Sequence, residues 1–400
     1  MSRIGNFRIS GRENCCGCGN CVLACPSDAI EMTPLELGCL YPVVDESRCS
    51  NCGLCTQVCA YQHRETDGAG PLKAYAAAAR DETVLRRSAS GGVFACAARK
   101  ILLEGGTVFG CSMECGEVGL IPMHIPIERI EDIPKLQGSK YVQSDLGQTH
   151  VQIRKLLRDG KTVLFSGTPC QVDSLKRYLA GEDVTGLYTI DLVCHGVPSA
   201  KLFREYLSLM NKEMTAFLFR DKEKAWGLNG AYTYIDGGKS RSVRFSPGLS
   251  SYYSYFLESE IYRESCYSCP YASTHRVADL TIGDYWGIEE AHPEYLQEKT
   301  GLLSLKKGVS AVLVNTSKGQ QLLETCDSDL ILLDTQIDKI VRGNKQLRAP
   351  SSHTPTRTKL RCLYAEQGYK GVEKHWRKSL GLRFHARHLK ARFWANRALK

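Results

Sequence analysis

A chain of 400 residues, 43% apolar and 24% charged, is too long for one small domain and too ordinary in composition for bulk disorder. It has no run of about 18 apolar residues that would span a bilayer, and Met1–Asn6 lacks the apolar core of a secretory signal, so the expected location is cytoplasmic. The formal charge of +9 sits in one place: residues 355–400 hold 13 Lys or Arg against Glu366 and Glu373, which leaves about −2 on the rest, no basic stripe, and no expected nucleic-acid partner.

The first element is a cysteine repeat. Cys15-x2-Cys18-x2-Cys21-x3-Cys25-Pro26 recurs 34 residues later as Cys49-x2-Cys52-x2-Cys55-x3-Cys59, with Ala60 where the first copy has Pro26. This is the bacterial two-cluster ferredoxin run, in which the fourth cysteine of each run ligates the other cluster. Cys15, Cys18, Cys21 and Cys59 are therefore assigned to one [4Fe–4S] cluster, and Cys49, Cys52, Cys55 and Cys25 to the second. Zinc fits two triple-plus-one runs poorly. Ligation of every iron by cysteine makes a wire, which needs a redox terminus elsewhere in the chain. An extended segment, Leu40–Val44, lies between the runs, and a polar, glycine-rich linker follows from Glu65 to Pro71.

The body alternates helix and strand. Helices are predicted over 92–104, 145–158, 200–210 and 318–326. Strands are predicted over 107–110, 162–165, 187–193, 217–219, 231–235, 280–282 and 309–314, with 241–245 closing a hairpin across Gly237-Gly238. Cys170 and Cys194 each follow a predicted strand, and Cys266-x2-Cys269 precedes Pro270. Spacing alone leaves three readings of these four: a third [4Fe–4S] cluster, a zinc site or separate buried thiols. Cys16, Cys39, Cys96, Cys111, Cys115, Cys326 and Cys362 are read as core or surface residues without ligand duty. Gly160-Lys161-Thr162 lacks the rest of a phosphate loop, and Gly17-x-Gly19 lacks the context of a nicotinamide site.

Seven motifs occur in order: Ser90-Gly91-Gly92-Val93-Phe94, Gly138–Ser144, Phe165–Gln171, Asp191–Pro198, Phe219-Arg220-Asp221-Lys222, Ser265–Tyr271 and Ile282–Gly287. On these the chain resembles the beta-subunit family of coenzyme F420-reducing hydrogenases and dehydrogenases, over Gly11 to about Val314. The resemblance implies non-covalent FAD beside a body [4Fe–4S] cluster on Cys170, Cys194, Cys266 and Cys269. It also implies a hydride-exchanging substrate, coenzyme F420 or an unidentified metabolite, and a ferredoxin or other redox partner protein. Candidate flavin contacts are Ser90, Gly91, Gly92, Lys140 and Thr168. Lys140 is a candidate stabiliser of reduced flavin, and His195 a candidate proton donor or hydrogen-bond partner of a cluster sulfur.

The fold class expected is α+β: a ferredoxin-like 2[4Fe–4S] domain over 1–64, a mixed α/β flavin-binding domain over 72–348, and a basic helical tail over 349–400. The tail is suited either to an anionic membrane surface or acidic partner, or to capping the domain as a solvated helix. Two other functional classes stay open, a non-catalytic electron-transfer subunit and a module with structural zinc.

Overall fold

The computed structural model describes residue 9 and residues 11–63, 70–117 and 119–380. Most of the expected linker and all of the tail beyond Leu380 lie outside these residues.

Each N-terminal cysteine run turns through left-handed backbone into one helical turn. Gly19 at φ 80° precedes Asn20–Leu23, and Gly53 at φ 76° precedes Leu54–Gln57. Glycine takes this conformation without the ~1–2 kcal/mol that a side chain incurs there. Between the runs, β1 (Ile30–Pro34) and β2 (Leu40–Val44) pair antiparallel. The two copies differ in setting. Cys15 and Cys21 are buried whereas Cys52 is exposed, and Asn20 is fully buried where its repeat counterpart Leu54 is exposed.

The body strands are β3 (Lys73–Ala79), β4 (Thr107–Gly116), β5 (Gly119–Ile127), β6 (Val163–Gly167), β7 (Leu187–Leu192), β8 (Glu213–Leu218), β9 (Gly230–Asp236), β10 (Lys239–Phe245), β11 (Leu280–Asp284), β12 (Ser310–Val314) and β13 (Leu330–Asp334). Eight form one sheet in the order β13-β3-β12-β11-β7-β6-β4-β5. Its centre, β11-β7-β6-β4, is parallel, and both flanks are antiparallel. A separate antiparallel sheet holds β8, β9 and β10, and β9–β10 is the hairpin expected across Gly237-Gly238.

Three strands of the body, and β1 of the N-terminal domain, were not expected from sequence. The Ala76–Ala79 run of β3 reads as helix former, yet it lies buried between β12 and β13, where small side chains let the covering helix Val93–Leu103 approach. β5 contains Pro122 and Pro126, which demote a strand in sequence, and it occupies an edge, where a missing N–H leaves no neighbour unpaired. β13 is the opposite edge. The helix predicted from Asp145 begins at Thr149, because Gly147 at φ 44° holds a turn closed by the Asp145 carboxylate.

Residues of the basic tail form the helix Pro355–Ser379, broken at Gly368 (φ 59°). Leu360, Tyr369, Val372 and Trp376 pack into the aromatic core that also contains Phe203, Tyr206 and Tyr252. This stretch caps the body with its apolar side. No helix among the described residues is long and apolar enough to cross a membrane.

Candidate functional site

Parallel strands deliver their following loops to one edge of a sheet, the usual ligand edge of α/β folds. β6 is followed by Thr168 and Cys170, β7 by Cys194 and His195, and β11 ends at Asp284 just before Trp286. Cys266 and Cys269 reach the same edge, so Cys170, Cys194, Cys266 and Cys269 line one pocket together with Cys16, Arg263 and Arg276. Burial pushes the Cys194 thiol up to about 12 and Cys269 to about 11, and raises Cys266 well above the usual thiol range. Cys170 is instead lowered, chiefly by a hydrogen bond from Cys16. Metal loading at such thiols displaces protons. Among the described residues no three Cys, His, Asp or Glu side chains are grouped to hold a single ion. Four thiols on one pocket wall, with two guanidiniums beside them to offset negative charge, fit a [4Fe–4S] centre by their donor chemistry.

A larger cavity of ≈260 Å³ adjoins this pocket; Cys16, Thr168, Cys170, His195 and Val197 line both. Ser90, Gly92 and the start of the helix Val93–Leu103 form one wall, and Lys140 and Gln143 another. Lys140 directs its ammonium hydrogens to the carbonyl oxygens of Lys135, Leu136 and Gln137 at 3.3, 3.0 and 2.7 Å, so it presents charge rather than free donors. Burial pushes its pKa down to about 8. At the β11 end, Asp284 accepts from Arg220 Nη1 at 2.6 Å, Nη2 at 3.0 Å and Trp226 Nε1 at 2.8 Å. Trp226 stacks on Trp286 at 4.6 Å, and Lys222 Nζ donates to the Ser90 carbonyl at 2.6 Å. The Phe219–Lys222, Ile282–Gly287 and Ser90–Phe94 motifs thus meet at one end of the cavity. A helix N-terminus and Lys140 on the wall, with Lys222 behind it on the Ser90 carbonyl, suit an anionic, ring-bearing ligand, so the lining fits a flavin nucleotide in kind.

The ferredoxin loops dock against this edge. Arg263, 1% exposed, donates to the carbonyl oxygens of Cys15 (3.2 Å) and Leu40 (2.8 Å) and to Gln143 Oε1 (3.0 Å). Asn20 donates to the Ser174 carbonyl at 2.7 Å, and its side-chain oxygen lies 2.7 Å from His150 Nδ1. The first cysteine run is therefore held against the body by buried side chains, while the second reaches it through the Gln57 carbonyl, which accepts from Arg177 Nε at 3.0 Å.

Residues 14–63 match the family described as a 4Fe-4S dicluster domain, and residues 160–339 match that described as the C terminus of the coenzyme F420 hydrogenase/dehydrogenase beta subunit. Residues 14–63 thus carry an iron–sulfur dicluster domain, and residues 160–339 the C-terminal region of an F420 hydrogenase/dehydrogenase beta subunit. Among solved structures, it is similar to a chain of the F420-reducing [NiFe] hydrogenase complex from Methanosarcina barkeri, at 14% identity and a TM-score of 0.45, covering 75% of this chain and 94% of that one. No curated protein sequence matches.

The sequence candidates separate in space. Ser90, Gly92, Lys140, Thr168 and His195 line the large cavity. Gly91 does not: its N–H donates to Ser310 Oγ at 2.8 Å, and an added Cβ would lie 2.1 Å from the Ala77 carbonyl oxygen, so close loop–strand approach is what requires glycine there. His195 is open to the cavity lumen but surrounded by protein, which lowers its pKa by desolvation. Arg220, Asp284 and Trp286 lie inside sequence motifs without a legible role, since the Arg–Asp pairing across 64 residues leaves no periodic trace. Asp284→Asn should lower stability by about 3 kcal/mol, because it strands a guanidinium that is 1% exposed. Urea unfolding with an unchanged midpoint would contradict that.

Proposed function

We propose that the protein is an iron–sulfur flavoprotein oxidoreductase that moves electrons between its ferredoxin clusters and a hydride-exchanging substrate at FAD. A third [4Fe–4S] centre on Cys170, Cys194, Cys266 and Cys269 lies between them in this reading. The observation that carries it is the shared wall, since Cys170, one of the proposed ligands, lines both cavities and so supports a cluster beside the flavin space. Flavin, when bound, exchanges two electrons as hydride with an organic molecule and single electrons with iron–sulfur centres.

The chain's own residues then have separate tasks. Gly92, Val93 and Phe94 begin a helix whose amides favour an anionic group. Lys140 and Lys222, both pushed down to about 8 by burial, supply positive charge that is complete below that pH. His195 stands where the two cavities join, able to hydrogen-bond a sulfur or hold a proton. The stacked Trp226–Trp286 pair and the Arg220–Asp284 ion pair make a rigid end wall. The exposure of Cys52 and Leu54 supports a second ferredoxin cluster on the solvent side, which suits exchange with a redox partner protein. The substrate class is coenzyme F420 or a metabolite of like hydride chemistry, and the cytoplasm is the proposed location.

Anaerobic purification with iron, acid-labile sulfide, zinc and flavin measured per chain tests this. About twelve irons and one FAD are expected. About eight irons without flavin would leave an electron-transfer subunit and end the flavoenzyme reading.

A further inference from the structure

Three buried residues that line the large cavity, His124 on β5, Ser144 and Gln171, form one hydrogen-bonded chain. Ser144 and Gln171 end the Gly138–Ser144 and Phe165–Gln171 motifs, while His124 belongs to no motif. Backbone pairing sets His124 beside Ser144, because the His124 N–H donates to the Asp145 carbonyl at 2.8 Å and the Asp145 N–H to the Pro122 carbonyl at 2.9 Å. His124 Nε2 lies 3.0 Å from the Ser166 carbonyl oxygen, which only accepts, so Nε2 carries the ring proton and Nδ1 a lone pair. Burial lowers the ring's pKa to about 4 and so keeps it neutral near pH 7. Ser144 Oγ, 3.0 Å from Nδ1, then gives its only proton to the ring. The Gln171 amide is oriented as well: its Oε1 accepts from the Thr168 N–H at 3.0 Å, which turns Nε2 to donate to Ser144 Oγ at 3.0 Å. A hydroxyl oxygen has two lone pairs. With its proton on His124 and one lone pair taken by Gln171, Ser144 keeps a single acceptor position.

We propose that His124 is a positioning residue that holds the Ser144 hydroxyl proton away from the cavity, and that the remaining Ser144 lone pair selects a ligand with a ring imide N–H. This rests on the reading of the cavity as the space for a flavin or a deazaflavin, both of which carry an N–H between two ring carbonyls. An oxygen with no proton to give serves neither a ring carbonyl nor an unprotonated ring nitrogen, so it favours the imide edge of such a ring. A ligand without that N–H leaves a buried acceptor unpaired, which is how hydrogen-bonding sites reject close analogues. The ring of His124 is held in its plane by stacking on Phe165, centroid to centroid 5.2 Å, so the arrangement is in place before any ligand arrives.

The test is the binding of FAD and of FAD methylated at its imide nitrogen to the full chain freed of flavin, each followed by flavin fluorescence. Wild type should bind the methylated form roughly tenfold more weakly. Ser144→Ala should bring that ratio close to one. His124→Phe keeps a ring on Phe165 but releases the serine proton, and should lower the ratio as well. His124→Gln, whose amide offers one donor and one acceptor as the neutral imidazole does, should return most of it. Loss of packing alone would weaken both ligands together and leave the ratio where it was, so a ratio unchanged in Ser144→Ala overturns the proposal. A wild-type ratio near one overturns it without any variant, and leaves FAD in the cavity. The same pair of measurements with a deazaflavin and its methylated form separates the two rings. A wild type that discriminates only between the deazaflavins supports the Ser144 acceptor while placing the substrate ring, not FAD, against it. A wild type that binds neither ring ends the flavoenzyme reading and this proposal together.

Discussion

Replacing Cys194 by serine is expected to leave about eight of about twelve irons per chain and to disconnect bound flavin from the ferredoxin clusters. Cys194 reaches the pocket from the end of β7, and its neighbours there, Cys170, Cys266 and Cys269, come from other segments. Burial holds this thiol neutral near pH 7 until metal displaces its proton, so a serine hydroxyl, a far weaker acid, makes a poor replacement ligand. The N-terminal runs take none of their eight cysteines from the body, which is why their clusters should survive. Iron and sulfide analysis gives the count, and stopped-flow reduction of flavin through the ferredoxin clusters gives the connection. A Cys194→Ser protein that still holds about twelve irons would remove Cys194 from the ligand set.

The second large effect is expected at the joint between ferredoxin loops and body. Arg263→Met leaves the Leu40 carbonyl and the Gln143 side-chain oxygen without this donor and the Cys15 carbonyl with only Ser265 Oγ at 2.9 Å, at a cost of about 3 kcal/mol. The same joint can be opened from the other side. Gly17 has φ +69° and an added Cβ would lie 2.4 Å from Arg263 Nη2, whereas Gly19 has φ +80° and a Cβ there meets nothing within 4 Å. Both alanine variants carry the left-handed backbone cost of about 1–2 kcal/mol, so the excess loss in Gly17→Ala reports the collision alone. Denaturant unfolding should rank Arg263→Met and Gly17→Ala well below Gly19→Ala. Equal midpoints for the two glycine variants would mean that the guanidinium does not hold the joint.

The repeat made the dicluster domain legible, and comparing its copies also explains what sequence left unread. Position 17 is Gly and its counterpart is Asn51, both left-handed at φ 69° and 56°. Asparagine tolerates that conformation, so sequence alone gives no reason for the difference; the buried Arg263 does. Cys170 and Cys194 were legible as strand-end residues because short apolar strands ending in Gly or Pro motifs mark β6 and β7. Their convergence with Cys266 and Cys269 depends on β6, β7 and β11 being parallel neighbours, and strand order leaves no mark in a single sequence. The surroundings of Lys140 were hidden for a related reason, since three backbone carbonyls at the end of a short helix form its partners.

The capping helix Pro355–Ser379 bears on the order in which the molecule is completed during synthesis. Arg357, 2% exposed, donates to Glu264 at 2.9 Å and to the Tyr267 hydroxyl at 3.0 Å, directly flanking Cys266. Nascent chains fold from the N-terminus as they emerge, so both ferredoxin loops are out of the ribosome long before this brace. The Cys266–Cys269 loop gains its backing only after some three hundred further residues have followed the first cysteine runs. Early completion of the N-terminal loops and late closure of the body pocket are thus built into the chain order.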